Sequence, residues 1–369
     1  MIELLLKLGG IQALLLSILL VRKKTNNNAN VILAVLIFFL GLSCLFYSFN
    51  SLDFYVNLPH LIRIDWGIPL LFGPLIYLYT KFLTGAKNQK KLYLHFLPYL
   101  LNLSILTPFF IKSGEEKILI LDYFTASITG GTDLYFYYGL FLQLASSIIC
   151  LSYAAEGLNV LNKYNNTLLN EFSNTHKQTL KWLKFLLISF IALSILFIGT
   201  YIITYIDPYP SFDYNVYYFF LLFVLIYVLS YRALNQPEII VPVEMSTMPK
   251  IKQKVVENTE EILKLKEFML HEKPYLNGEI TASELAKELS ISRHQLSQLL
   301  NNHLSQNFYD FINEYRVEEF KKRIQSQENN QLTLLAIALD SGFNSKTTFN
   351  TIFKKATGMT PSQYKKEQK

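Results

Sequence analysis

Two short stretches near the C-terminus carry polar side chains whose spacing suits an anionic, base-bearing polymer. In the first, Arg293, His294, Gln295, Ser297, Gln298 and Asn301 alternate with Leu296, Leu299 and Leu300 at helical period. In the second, Lys346, Thr347, Asn350, Thr351, Lys354 and Lys355 surround Phe349, Ile352 and Phe353. Guanidinium and ammonium groups pair with phosphate oxygens, and side-chain amides and hydroxyls match the donor and acceptor edges of base pairs in a major groove. Competing chemistries find no support. The sequence shows no paired catalytic carboxylates, nucleophile elbow, phosphate-cradling glycine loop or metal-ligand spacing. Its two cysteines, Cys44 and Cys150, each lie inside an apolar run. The expectation is a protein that is not an enzyme and needs no cofactor. A helical interaction domain is the plainer alternative for this tail.

The elements that would position these residues are legible from their ends. Thr281-Ala282-Ser283-Glu284 is a capping box. It starts a helix reaching Leu289, with Leu285, Ala286 and Leu289 on one face. Ser290-Ile291 turns the chain, and Ser292 caps a second helix over residues 293–302. A longer amphipathic helix follows over residues 307–325, with Phe308, Phe311, Ile312, Tyr315, Phe320 and Ile324 inward. Its bases Arg316, Lys321, Lys322 and Arg323 read as a solvated face. The first pattern then recurs. A helix over residues 334–340 leads into the turn Ser341-Gly342-Phe343, and Ser345 caps residues 346–357. Gly358 ends that helix, and Thr360-Pro361 begins a last one. The spacing therefore predicts two tandem helix-turn-helix units, at residues 282–302 and 334–357, within a domain covering residues 261–369.

The other two-thirds of the 369-residue chain is a different material. Charged residues make up 17% of the whole and hydrophobic ones 51%, whereas soluble proteins carry about a quarter charged residues. Seven apolar runs approach the roughly 20 residues that span a bilayer. They are residues 4–21, 30–49, 64–83, 92–111, 134–155, 184–206 and 214–234. Arg22, Lys23, Lys24, Lys87, Lys90, Lys91, Lys163, Lys177 and Lys181 fall in alternate loops, with Arg232 at the end of the last run. Asp53, Glu115, Glu116, Asp122, Asp133, Asp207 and Asp213 fall in the opposite loops, where Lys112, Lys117 and Arg63 are exceptions. The positive-inside rule then places the N-terminus outside and the C-terminus in the cytoplasm. Asp65, Asn102, His95, Gln143 and Asn50 are polar groups within the runs, candidates for a functional role or for wetted span ends. The last run holds no lysine for a retinal Schiff base, and no inverted repeat suggests a transporter. Residues 235–260, with Pro237, Pro242 and Pro249, read as a linker.

The expected architecture is thus all-α: a seven-helix transmembrane bundle over residues 1–234, followed by the tandem helix-turn-helix domain. A chain that spans a membrane and grips DNA must do both in one compartment, which points to a bacterial inner membrane. The segments Ala338-Leu339-Asp340-Ser341-Gly342-Phe343 and Phe353-Lys354-Lys355-Ala356-Thr357-Gly358-Met359-Thr360-Pro361-Ser362-Gln363-Tyr364 resemble the signature of AraC/XylS regulators. Phe72-Gly73-Pro74-Leu75-Ile76-Tyr77 and Leu97-Pro98-Tyr99 are similar to the membrane-bound members of that family found in bacteroidetes. The resemblance implies two recognition helices in successive major grooves of double-stranded DNA. Many members carry an arginine late in each recognition helix; Gln298 and Thr351 stand there instead, and glutamine suits adenine better than guanine. The expected function is a membrane-embedded, sequence-specific transcription regulator coupling a membrane or envelope signal to transcription. A merely anchored regulator, controlled by a partner or by proteolysis, is the alternative, and a membrane enzyme or transporter the more distant one. The lipid bilayer and duplex DNA are the expected partners; RNA polymerase and a second copy of the chain are left open.

Overall fold

Leucine-, isoleucine- and phenylalanine-rich runs have few ways to satisfy their backbone groups out of water, and the helix is the one that needs no second segment. The computed structural model follows that logic. It describes residues 2–24, 27–49, 52–85, 91–127, 134–175, 180–206, 214–235, 259–326 and 331–367. Among these residues every regular element is helical, apart from one isolated antiparallel bridge. The linker prolines Pro237, Pro242 and Pro249 lie outside the described residues.

The chain divides into two units. The first comprises Met1–Asn162 and Leu180–Val241, and the second Lys163–Thr179 and Pro242–Lys369. In the first unit the helices are α1 (Ile2–Arg22), α2 (Asn27–Ser48), α3 (Leu52–Asn57), α4 (Phe72–Leu83), α5 (Leu97–Phe110), α6 (Gly114–Ser127), α7 (Leu134–Glu171), α8 (Lys181–Ile206) and α9 (Asn215–Leu234). Helix α7 continues into the second unit. Among the described residues five segments are long and apolar enough to cross a membrane: Ile2–Arg22, Asn28–Ser48, Leu92–Phe110, Tyr137–Glu171 and Lys181–Ile203. At the other two expected places the apolar helices are shorter, Ile68–Leu83 and Asn215–Leu229. The third run differs from expectation because its first part is not α-helical. Residues Ile68–Leu71 form a 3-10 turn, Pro69 withdraws a backbone donor, and Arg63 takes a left-handed backbone at φ 63°.

The outer faces of these helices are apolar too. On α1, Leu4, Leu8, Ile11, Leu15 and Ile18 are all at least half exposed, while Leu6, Ala13, Leu16 and Leu20 are buried. A helix apolar on both its packed and its open face suits lipid rather than water. Helices α1 and α2 approach closely at small residues. A Cβ on Gly10 would lie 2.9 Å from the Gly41 carbonyl oxygen, and one on Gly41 2.5 Å from the Ala13 Cβ.

Helix α7 runs 38 residues, well past the expected end at Ala155. At 1.5 Å per residue that is about 57 Å, against roughly 30 Å of hydrocarbon. Its extension is amphipathic rather than uniformly apolar, with Leu161, Tyr164 and Leu168 buried at three- and four-residue spacing.

The second unit holds α10 (Thr259–His271), α11 (Ala282–Glu288), α12 (Arg293–Gln298), α13 (Phe308–Gln325), α14 (Leu334–Asp340), α15 (Lys346–Thr357) and α16 (Pro361–Glu367). Two apolar cores share α13. Phe308, Phe311 and Ile312 from its first half pack with Leu265, Leu285 and Leu296. Val317 and Phe320 from its second half pack with Ile337, Phe343, Phe349 and Phe353.

Candidate nucleic-acid interface

Each core carries one pair of short helices, and local hydrogen bonds fix both pairs. In the first, the Glu284 amide donates to Thr281 Oγ1 (3.2 Å) and the Thr281 amide to Glu284 Oε2 (2.9 Å), completing the expected capping box. The turn is closed by the Ile291 amide on the Ala286 carbonyl (3.0 Å), with Ser290 at φ 56°. Helix α12 opens on a second box. The Gln295 amide donates to Ser292 Oγ (3.2 Å), and the Ser292 amide to Gln295 Oε1 (2.8 Å). The winding continues past Gln298 as a π turn over Leu299–His303.

The second pair repeats the plan. Thr333 Oγ1 accepts from the Ala336 amide (3.1 Å), and the Phe343 amide closes the turn on the Ala338 carbonyl (3.1 Å). Gly342 sits at φ 94°, where an added Cβ would lie 2.2 Å from the Tyr275 carbonyl oxygen, so no other residue fits. Ser345 Oγ caps α15 by accepting from the Thr348 amide (3.1 Å).

The polar residues singled out from sequence fall on these helices with different freedom. On α15, Lys346, Thr347, Asn350, Thr351, Lys354 and Lys355 are all exposed, opposite the buried Phe349 and Phe353. Thr351 Oγ1 donates to the Thr347 carbonyl (2.9 Å), and Lys355 Nζ pairs with Asp310 Oδ1 (3.0 Å). On the first pair His294, Gln295 and Asn301 are exposed, and Ser297 and Gln298 half-buried. Asn301 Nδ2 donates back to the Ser297 carbonyl (2.9 Å). Gln295 uses its carbonyl oxygen as a cap. Arg293 is ion-paired through Nε with Glu171, and its side chain is 17% exposed.

The charge of Arg316 suggests a solvated face, but the structure buries it in line with Ile312 and Phe320. It is 2% exposed. Nε donates to Tyr275 O (2.8 Å), Nη1 to Ser173 O (3.2 Å) and Asn313 Oδ1 (3.2 Å), and Nη2 to Asn277 O (2.9 Å) and Ser173 Oγ (3.1 Å). Burial pulls its pKa down to about 10, so at neutral pH it still carries its charge into the core. One turn further on, Glu319 is buried and accepts from Arg323 Nε (2.8 Å), Lys273 Nζ (3.2 Å) and Tyr275 OH (3.3 Å). Burial alone would raise its pKa; the Arg323 and Lys273 contacts outweigh that and hold it below the ordinary value. Asn344 was also missed. Its Nδ2 donates to Gly278 O (2.9 Å) and Glu279 Oε1 (2.9 Å), tying the second turn to the loop before α11. Arg316 stands four residues from both Ile312 and Phe320, in line with the apolar face of α13, and that spacing is the signal that could have found it; Asn344 carries no such signal.

The polar residues of the first unit divide in two. Asn102 is structural: Nδ2 donates to Trp66 O (2.9 Å), and Oδ1 accepts from Tyr138 OH (2.8 Å). His95 Nδ1 bonds Tyr153 OH (2.8 Å). Asp65 and Gln143 instead line a cavity of about 160 Å³, together with Ser43, Trp66, Phe197 and Tyr218. Ser43 Oγ is buried there without a hydrogen-bond partner among the described residues. Asn50 lies outside the described residues.

Comparison with known proteins agrees with the reading of the second unit. Residues 285–367 match the family model for a helix-turn-helix domain. The match supports a DNA-binding transcription regulator. A solved structure from Listeria innocua, described as a protein of unknown function, is 28% identical to the chain. The similarity covers 29% of this chain and 97% of that one, with a TM-score of 0.26. No curated protein matches the chain.

Proposed function

We propose that the chain is a membrane-embedded transcription regulator that reads duplex DNA with two tandem helix-turn-helix units and couples a membrane or envelope signal to that reading. The observation that carries this is α15. Six polar residues, three of them lysines, stand exposed on a capped helix whose other face is locked into a phenylalanine core. That is the disposition a recognition helix needs, with phosphate-binding ammonium groups beside amides and hydroxyls that reach base edges. We assign Lys354 and Lys355 to phosphates, and Lys346, Thr347, Asn350 and Thr351 to the groove. Arg293, His294, Gln295, Ser297, Gln298 and Asn301 form the corresponding surface of the first unit.

The seven apolar stretches act as spans, with the C-terminal unit in the cytoplasm of a bacterial cell and the chain in its inner membrane. Sensing is favoured over plain anchoring by the cavity beside Asp65 and Gln143. Its volume of about 160 Å³ compares with the roughly 150 Å³ engineered cavity that accepts benzene. The full-length chain in nanodiscs tests the reading against a pool of random duplexes. Enrichment of one sequence, lost on raising salt, is the expected result. A folded chain that retains no duplex at low salt refutes it.

A further inference from the structure

The end of α7 and the segment that follows it belong to the second unit, and the last residue of α7 pairs with a residue assigned to DNA. Phe172 makes the isolated antiparallel bridge with Thr281, the N-cap of α11. The Ser173 amide and hydroxyl both donate to the Ile280 carbonyl, at 3.3 and 2.7 Å. Ser173 O and Oγ in turn accept from the buried Arg316 guanidinium, at 3.2 and 3.1 Å. These bonds fix the backbone, and so they fix Glu171, two residues earlier. One oxygen of its carboxylate accepts from Ser283 Oγ (2.8 Å), and the other pairs with Arg293 Nε. The two side chains are only 17% and 13% exposed.

We propose that Glu171 is a built-in competitor for DNA phosphate. Its carboxylate occupies the guanidinium of the first residue of α12, so that Arg293 is withheld from the duplex until the end of α7 moves. The charge logic is direct. A carboxylate and a phosphate oxygen are alternative acceptors for one guanidinium. The occupant has the advantage of being tethered by Ser173, which gives it a high effective concentration that an incoming phosphate must overcome. The connection to the rest of the chain is equally direct, since Glu171 is the last residue of a helix that begins at Leu134. A displacement along or about that helix acts first on the Glu171–Arg293 pair. The inference rests on the DNA-binding reading above.

The test uses the full-length chain in nanodiscs and a random-sequence duplex, with affinity measured across a range of salt. Glu171→Gln keeps the size of the side chain and an acceptor for Ser283, and removes the charge. One freed phosphate contact should steepen the plot of log affinity against log salt by about 0.9, which is close to tenfold tighter binding at about 0.1 M salt. Adding Arg293→Ala to Glu171→Gln should abolish the gain. Unchanged or weaker binding by Glu171→Gln overturns the proposal, as does a gain that survives Arg293→Ala. A chain that binds no duplex in either form removes the DNA-binding reading itself, and this proposal with it.

Discussion

Replacing Arg316 with methionine removes a heavily bonded side chain of the second unit while nearly keeping its volume. Five hydrogen bonds are lost. Two of the acceptors keep other partners: Asn277 O still receives the Ile280 amide (3.3 Å), and Ser173 Oγ still donates to Ile280 O (2.7 Å). Tyr275 O, Ser173 O and Asn313 Oδ1 lose the guanidinium that satisfied them inside the fold. An orphaned buried acceptor costs about 1–3 kcal/mol. The variant also no longer buries a charge, which offsets part of the loss. The balance is a destabilisation of about 3 kcal/mol, a large share of the roughly 5–15 kcal/mol that holds a domain folded. Arg316→Lys should recover little, because one ammonium cannot reach acceptors spread from Ser173 to Asn277. Hydrogen exchange of the α13 backbone amides in the full-length chain reads this free energy locally. Protection that falls by less than about 1 kcal/mol in Arg316→Met would show that the acceptors find water instead, and the reasoning would fail.

Three further outcomes follow from the same geometry. Lys354→Ala should weaken binding to every duplex alike and flatten the salt dependence by about 0.9 in slope; an unchanged slope removes the phosphate assignment. Gln298→Ala and Asn350→Ala should each alter the sequence selected from random duplexes, at roughly 1–3 kcal/mol of discrimination, and if only Asn350→Ala does so the second unit alone specifies the site. Glu319, held below the ordinary carboxylate value of 4.5, stabilises the fold fully above that pH and loses its contribution as pH falls through the lower folded value. Urea unfolding across acid pH should therefore show a steeper loss in the natural chain than in Glu319→Gln, and parallel curves would contradict the assignment.

What the sequence made legible was local. Thr281 with Glu284, Ser292 and Ser345 cap the helices they were expected to cap, because a capping bond joins residues three apart and leaves its signature in the order of types. The apolar faces of α13 and α15 were equally readable, since burial repeats at the helical period. Partial failures came where two roles compete for one side chain. Gln295 looked like a pure surface residue, yet its oxygen closes a capping box that its spacing from Ser292 allows. The apolar run over residues 134–155 marks only the part of α7 that suits lipid; the helix itself continues to Glu171 on an amphipathic pattern.

Arg316 marks the deeper limit. It shares a helix with Lys321, Lys322 and Arg323, and only its place four residues from Ile312 and from Phe320 separates it from them. Its partners are backbone carbonyls 41 and 143 positions away. A carbonyl oxygen belongs to every residue, so a site assembled from carbonyls carries no residue-type signature. The same holds for Ser173, whose role is set by where the chain after α7 comes to rest. The second unit accordingly has its caps and apolar faces within residues 259–367, but not the satisfaction of its buried charge. A fragment starting near Lys250 contains every helix of the tandem pairs and lacks both Ser173 acceptors of Arg316 and the Glu171 partner of Arg293. Its stability and its DNA affinity should for that reason move in opposite directions relative to the full chain, lower for the first and higher for the second.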